Sequence, residues 1–150
     1  MNKNYILRTD TSQWLNSTKT TNDQSSLVYY EGDKFNIVLE LIQPSASSTL
    51  TNTEYESIWA ADSKVTFALG NITTDGIKSV YCTASLVPTG SHWYSGSLFV
   101  TGSALYIGIS GSQVINSLLE VEYRSPATGT PTDIITYYHD TARIYANITA

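Results

Sequence analysis

Alternation with a period of two runs through most of this chain, the signature of strands whose successive side chains point to opposite faces of a sheet. It is clearest in KFNIVLELIQ, where Phe35, Ile37, Leu39 and Leu41 share one face between the turn signal Glu31-Gly32-Asp33 and Pro44. The other face carries Asn36, Val38, Glu40 and Ile42, a mixed set that can meet a neighbour in part. Val65, Phe67 and Leu69 alternate before Gly70, and Asp75-Gly76 is a tight-turn pair leading into IKSVYCTASLV, which stops at Pro88. That pattern predicts a hairpin. A short strand over Ser97 to Val100 follows the triplet His92-Trp93-Tyr94. Leu119, Val121 and Tyr123 then alternate against Glu120 and Glu122. After a loop holding Pro126, Gly129 and Pro131, Ile134 to Tyr138 and Ala142 to Ile148 predict paired closing strands, with His139-Asp140 as a surface turn before the last.

Three stretches lack this regularity. Residues 45–63 are Ser/Thr-rich, with Tyr55, Ile58 and Trp59 among their few large apolar groups, and suit a long loop or a short helical turn around Glu54 to Ala61. Between Thr101 and Ile115 the glycines leave a bulged strand and a loop with one short strand equally open. Residues 1–26 hold one short apolar group, Tyr5, Ile6 and Leu7, then a polar run interrupted only by Trp14 and Leu15. That composition does not bury enough apolar area to offset the entropy of its own ordering. The expectation is therefore an N-terminal arm over residues 1–26 and a β-sandwich domain over residues 27–150. In the arm, Tyr5, Ile6, Leu7, Trp14 and Leu15 are candidate subunit-docking groups, the plainer alternative being that Trp14 packs on its own domain. About eight strands without an amphipathic helix predict an all-β chain, an antiparallel β-sandwich of jelly-roll or Ig-like type.

Composition narrows the function. One domain of 150 residues is long enough to support a core. Charged residues are 14% of the chain, whereas 39 Ser and Thr are 26%, so solubility comes from hydroxyls and amides. A net charge of -5 has the wrong sign for gripping phosphate backbones, which argues against nucleic acid as a partner. Eleven Tyr against three Phe favour half-buried pleated surfaces. The single Cys82 gives neither an intrachain disulfide nor a metal cluster nor a redox pair. MNKNYILRTDTSQW has no apolar run of signal length, and nothing approaches the roughly 18 apolar residues of a membrane span. Export by the usual signal route and membrane insertion are thus not expected.

The search for chemistry gives little for an enzyme. Cys82 lies in a strand pattern beside Val80 and Ala84, as a buried inert thiol would, and no G-x-S-x-G turn occurs. His92 and His139 are far apart in sequence and lack H-E-x-x-H or H-x-E spacing, so no metal or other cofactor is expected. Glu54 with Glu56, and Glu120 with Glu122, have the i, i+2 spacing of an exposed strand face as much as of a glycosidase pair. No P-loop or dinucleotide spacing occurs. The sequons at Asn16, Asn71 and Asn147 are what this composition gives by chance. Aromatics remain. Sugar rings stack their C–H faces on Trp and Tyr, so His92, Trp93, Tyr94 and Trp59 are the candidate carbohydrate contacts, against the plainer role of strand packing. Tyr29-Tyr30 and Tyr137-Tyr138 each place one ring on either sheet face, which suits packing or an oligomer contact.

The order of Y-E-G-D-K-F, I-V-L-E-L, D-S-K-V-T-F-A-L-G, L-E-V-E-Y-R and R-I-Y-A-N-I from Tyr30 onward resembles β-sandwich modules of tailed-phage virion proteins, notably the N-terminal domain of phage baseplate upper proteins. The resemblance spans residues 27–150, with Gly32 to Phe35 as the turn that opens the long strand. It implies a non-enzymatic structural protein of a bacteriophage virion, in the tail, baseplate, head-fibre or capsid-decoration class. Assembly in bacterial cytoplasm, other virion proteins as partners and a homo-oligomer, trimer or higher, follow from it. A cell-surface glycan joins those partners under the alternative of a lectin-like module. On this reading the arm docks on a neighbour by β-augmentation or surface wrapping, and the sandwich stays folded without residues 1–26.

Overall fold

A computed structural model describes residues 2–21, 23–24, 27–72, 74–101 and 114–146. The described residues form ten strands and no helix. The long run after Gly32 becomes β4 (Lys34–Pro44), and Phe35, Ile37, Leu39 and Leu41 are all fully buried, as their spacing requires. Ile42 is buried too, from the mixed face. The hairpin is β6 (Lys64–Ile72) and β7 (Lys78–Pro88), with Gly76 at a left-handed φ of 79° in its turn. The remaining strands are β1 (Asn2–Arg8), β2 (Gln13–Leu15), β3 (Val28–Tyr30), β5 (Tyr55–Ser57), β8 (Tyr94–Phe99), β9 (Val114–Ser125) and β10 (Asp133–Tyr145).

The all-β expectation holds, but the strands form one mixed sheet ordered β2-β1-β4-β8-β7-β6-β9-β10-β3, with β5 added to β4. Two pairings are parallel, β1 with β4 and β10 with β3. The β7–β8 pairing is short, Val87 with Ser95 and Pro88 with Tyr94, and there the sheet turns a corner. Gly96 allows β8 to approach β7 closely, because a Cβ at that position would lie 2.4 Å from the Ser85 carbonyl oxygen. One curled sheet then encloses one core, in which Tyr5 from β1 stacks at 5.6 Å on Phe67 from β6.

The two ends of the sheet meet through the segment read as an arm. Trp14 sits edge-on to Tyr138 at 4.7 Å, Ser12 Oγ donates to the Tyr137 carbonyl at 2.8 Å, and the Tyr5 and Tyr29 hydroxyls share a hydrogen bond. Between β2 and β3, the Asp23 amide donates to the Trp14 carbonyl and the Arg143 amide to the Leu27 carbonyl. Residues 2–21 therefore close the core instead of standing outside the sandwich. Tyr5, Leu7, Trp14 and Leu15 are buried in their own chain, which corrects their reading as docking groups, and only Ile6 faces outward, half-buried. The physical reason is that Tyr5 and Leu7 alternate, so a short strand can add to the existing edge of β4 over seven residue pairs. Removing residues 1–26 would strip these side chains from the core.

Three smaller differences have local causes. The proposed helical turn is β5, whose Tyr55 to Ser57 pair with Pro44 to Ile42 where β4 runs on beyond β8. The two closing strands are one strand, β10, and His139-Asp140 lies within it opposite Glu120 and Leu119. A register shift between Thr136 and Tyr138 breaks its alternation, leaving Tyr137 as the extra residue. Both Tyr137 and Tyr138 then pack on the core side, whereas Tyr29 is buried and Tyr30 exposed as alternation predicts. Of the glycine-punctuated stretch, residues 102–113 lie outside the described residues, and Val114 and Ile115 begin β9.

Candidate carbohydrate-contact surface

β7 ends at Pro88, which has no N–H with which to continue the ladder. The chain reverses over Thr89 to Trp93, closed by Thr89 N donating to the Trp93 carbonyl at 2.8 Å and His92 N to the Thr89 carbonyl at 3.3 Å. His92 takes a left-handed φ of 65°, and Trp93 is left 41% exposed. The His92 ring lies 4.7 Å from that of Trp59, tilted by 40°.

Trp59 arrives from the loop between β5 and β6. Ile58 N donates to the Leu41 carbonyl at 2.8 Å, and Ser63 Oγ bonds both the Ala60 carbonyl and the Tyr94 hydroxyl at 2.7 Å. Asp62 Oδ1 accepts from the Ala127 amide at 3.1 Å, and its Oδ2 accepts from Thr128 Oγ1 at 3.1 Å, which ties this loop to the one after β9. Trp59 is half-buried, packed against the core, with its indole nitrogen buried and unpartnered.

The structure therefore gathers Trp59, His92 and Trp93 on the surface at one end of the sheet. Tyr94 does not join them. It is fully buried, edge-on to Tyr123 at 6.5 Å, and burial raises its phenol above the usual value. Its place follows from phase: Tyr94, Leu98 and Val100 are all buried on one face of β8 and its continuation.

The same end carries a charged cluster that the sequence reading did not single out. Arg8 makes paired contacts to Asp10 at 2.8 and 3.1 Å, and its guanidinium lies 5.5 Å from the Tyr55 ring centre. The hydrogen bonds raise Arg8 and hold the Asp10 carboxyl below its usual range. Beside it, the hydroxyls of residues 45–54 are largely used within their own loop. Ser48 Oγ donates to the Glu54 carbonyl at 2.7 Å, and Ser47 Oγ donates to the Glu54 carboxylate. Leu50 projects fully into solvent.

The candidate chemical groups are dispersed. Glu56 accepts from Gln43 Nε2 at 2.9 Å, and Glu122 pairs with Arg124 at 3.4 Å. Cys82 is buried, and burial pushes its thiol up to about 12, so it is not a ready nucleophile. Among the described residues no three His, Cys, Asp or Glu side chains converge as a metal centre requires. What the loop end offers is an aromatic face bordered by hydroxyls and one bidentate ion pair. Such a face can stack on an apolar ring surface. Compared with known proteins, the chain matches no family model and no curated protein at a significant level.

Proposed function

We propose that this chain is a non-enzymatic attachment module of a bacteriophage particle, and that the loop end of its sheet holds a carbohydrate. The observation that carries the contact is the exposure of Trp93 beside the tilted ring pair His92 and Trp59, on loops held from beneath by Ser63 and Tyr94. Rigid strands presenting exposed aromatics on short loops suit recognition. The particle setting is supported by the resemblance of residues 27–150 to tailed-phage modules, and by a hydroxyl-rich surface of low charge. Its finer fold in this proposal is a curled variant of the sandwich expected for such modules, with other virion proteins as neighbours.

A glycan array probed with the wild type and Trp93→Ala tests the contact. The proposal expects reproducible binding that falls at least about tenfold in the variant, equivalent to about 1.4 kcal/mol. Binding unchanged in Trp93→Ala, or absent in the wild type, contradicts it. Mass spectrometry of purified particles tests the setting, with the chain expected among their components.

A further inference from the structure

A second surface lies on the outer face of β6, β7 and β9, apart from the loop end. It is a hollow of about 390 Å³, floored by Ala68 and Gly70 and walled by Ile72, Val80 and Leu118. Gly70 is required there, since a Cβ would lie 2.7 Å from the Ser79 carbonyl oxygen where β7 shifts register. Ile72 and Val80 are 45% and 58% exposed, large apolar groups on the solvent face of these strands.

Two opposite charges flank the hollow on a diagonal. Lys78 stands on β7 opposite Ile72, and Glu120 on β9 opposite Ala68, so Gly70 is the midpoint between them. Among the described residues neither forms an ion pair, although Glu122, two residues on, pairs with Arg124. An arrangement with a cation at one corner, an anion at the other and apolar groups between is complementary to itself.

The geometry points to a second copy of this chain as the occupant, in a face-to-face pair with two-fold symmetry. The axis lies between the two faces, over Gly70 and perpendicular to the line from Lys78 to Glu120. It sets each Lys78 on the other copy's Glu120, twice, and brings Ile72 and Val80 down on the other copy's Leu118 and Ala68. This is an isologous contact, in which one patch serves both partners. Opposed charges fix its register, and apolar burial supplies its affinity. Three strands at about 4.8 Å spacing and some nine residues at about 3.3 Å give a face of roughly 430 Å² per copy. A standard interface buries about 800 Å² per partner, so the dimer forms and dissociates with concentration. The inference stands apart from the carbohydrate reading, because Trp59, His92 and Trp93 lie outside this face.

Sedimentation equilibrium across a wide concentration range tests it on the full chain. The wild type should rise from monomer to twice that mass. Lys78→Glu and Glu120→Lys, each at an exposed position and each melting as the wild type does, should weaken the dimer at least tenfold. The double variant, in which the charges are exchanged, should recover to within a few-fold of the wild type. A wild type that stays monomeric or forms a trimer, a single variant that keeps its dimer, or a double variant that does not recover would each overturn the assignment.

Discussion

Trp14 and Trp59 each stand in a polar stretch rich in hydroxyls and amides, yet Trp14 is 1% exposed between Tyr5 and Tyr138 while Trp59 is half-buried under His92. Their surroundings in sequence are alike, and their surroundings in the sheet are not. Residues 2–15 supply two strands, one of which pairs with β4 over seven residues. Residues 45–63 supply only the three pairs of β5 and a set of side-chain bonds that close a loop on itself. A polar segment is drawn into a core when it carries even two apolar residues in phase beside an unpaired strand edge. It stays a surface loop when its large rings, here Tyr55 and Trp59, have no apolar partner in phase.

The sharpest way to break this contrast is at the tryptophans themselves. Trp14→Ala should destabilise the fold by about 3–5 kcal/mol, the range for emptying a fully buried aromatic site. Trp14→Phe should cost distinctly less, because the Trp14 indole nitrogen is buried without a partner and Phe removes that unmet donor. Chemical denaturation of both variants measures the difference. Equal losses would mean that the indole N–H is satisfied.

Alkaline pH should loosen the closed seam next. The Tyr29 phenol, bonded to Tyr5, is pushed well above its usual value, first by burial and then by Tyr5, while burial alone pushes the Cys82 thiol up to about 12. The folded chain thus keeps protons that the unfolded chain gives up. Stability should be flat below about pH 9, where unfolded thiols begin to ionise, and should fall as pH rises from there to about 12. Cys82 alone accounts for a loss on the order of 4 kcal/mol over that window. Denaturation midpoints for wild type and Cys82→Ala across this range test the claim, the variant being expected to lose less.

The smallest effects belong to the loop end. Trp59→Ala should cost about 1 kcal/mol, since its ring is only partly buried, and Trp93→Ala should stay within about 0.5 kcal/mol. Thermal melts read both. A loss at Trp93 as large as that at Trp14 would place it in the core and remove the proposed contact surface.

Much of the sheet was legible because its information is local. Phe35 to Leu41, Val65 to Leu69 and Leu119 to Tyr123 show their phase within seven residues, and Asp75-Gly76 marks its own turn. The pairing of β1 with β4 has no such signal, because Tyr5 and Leu39 are 34 residues apart and averaged composition hides two residues in phase. In β10 the bulge at Tyr137 resets the alternation, so one strand reads as two. At the loop end, His92 and Trp93 were visible as residues but the approach of Trp59 to His92 joins separate loops. The inward turn of Tyr94 was readable from its phase with Leu98 and Val100.

Amide hydrogen exchange in the native state tests most directly whether the N-terminal segment belongs to the core. The account predicts that the amides of β1 that bond to β4 exchange as slowly as those of β4 itself and much more slowly than those of residues 45–54, with Trp14→Ala accelerating β1. Exchange of the β1 amides at the rate of an unstructured peptide, with β4 still protected, would contradict it and return residues 2–15 to the role of an arm.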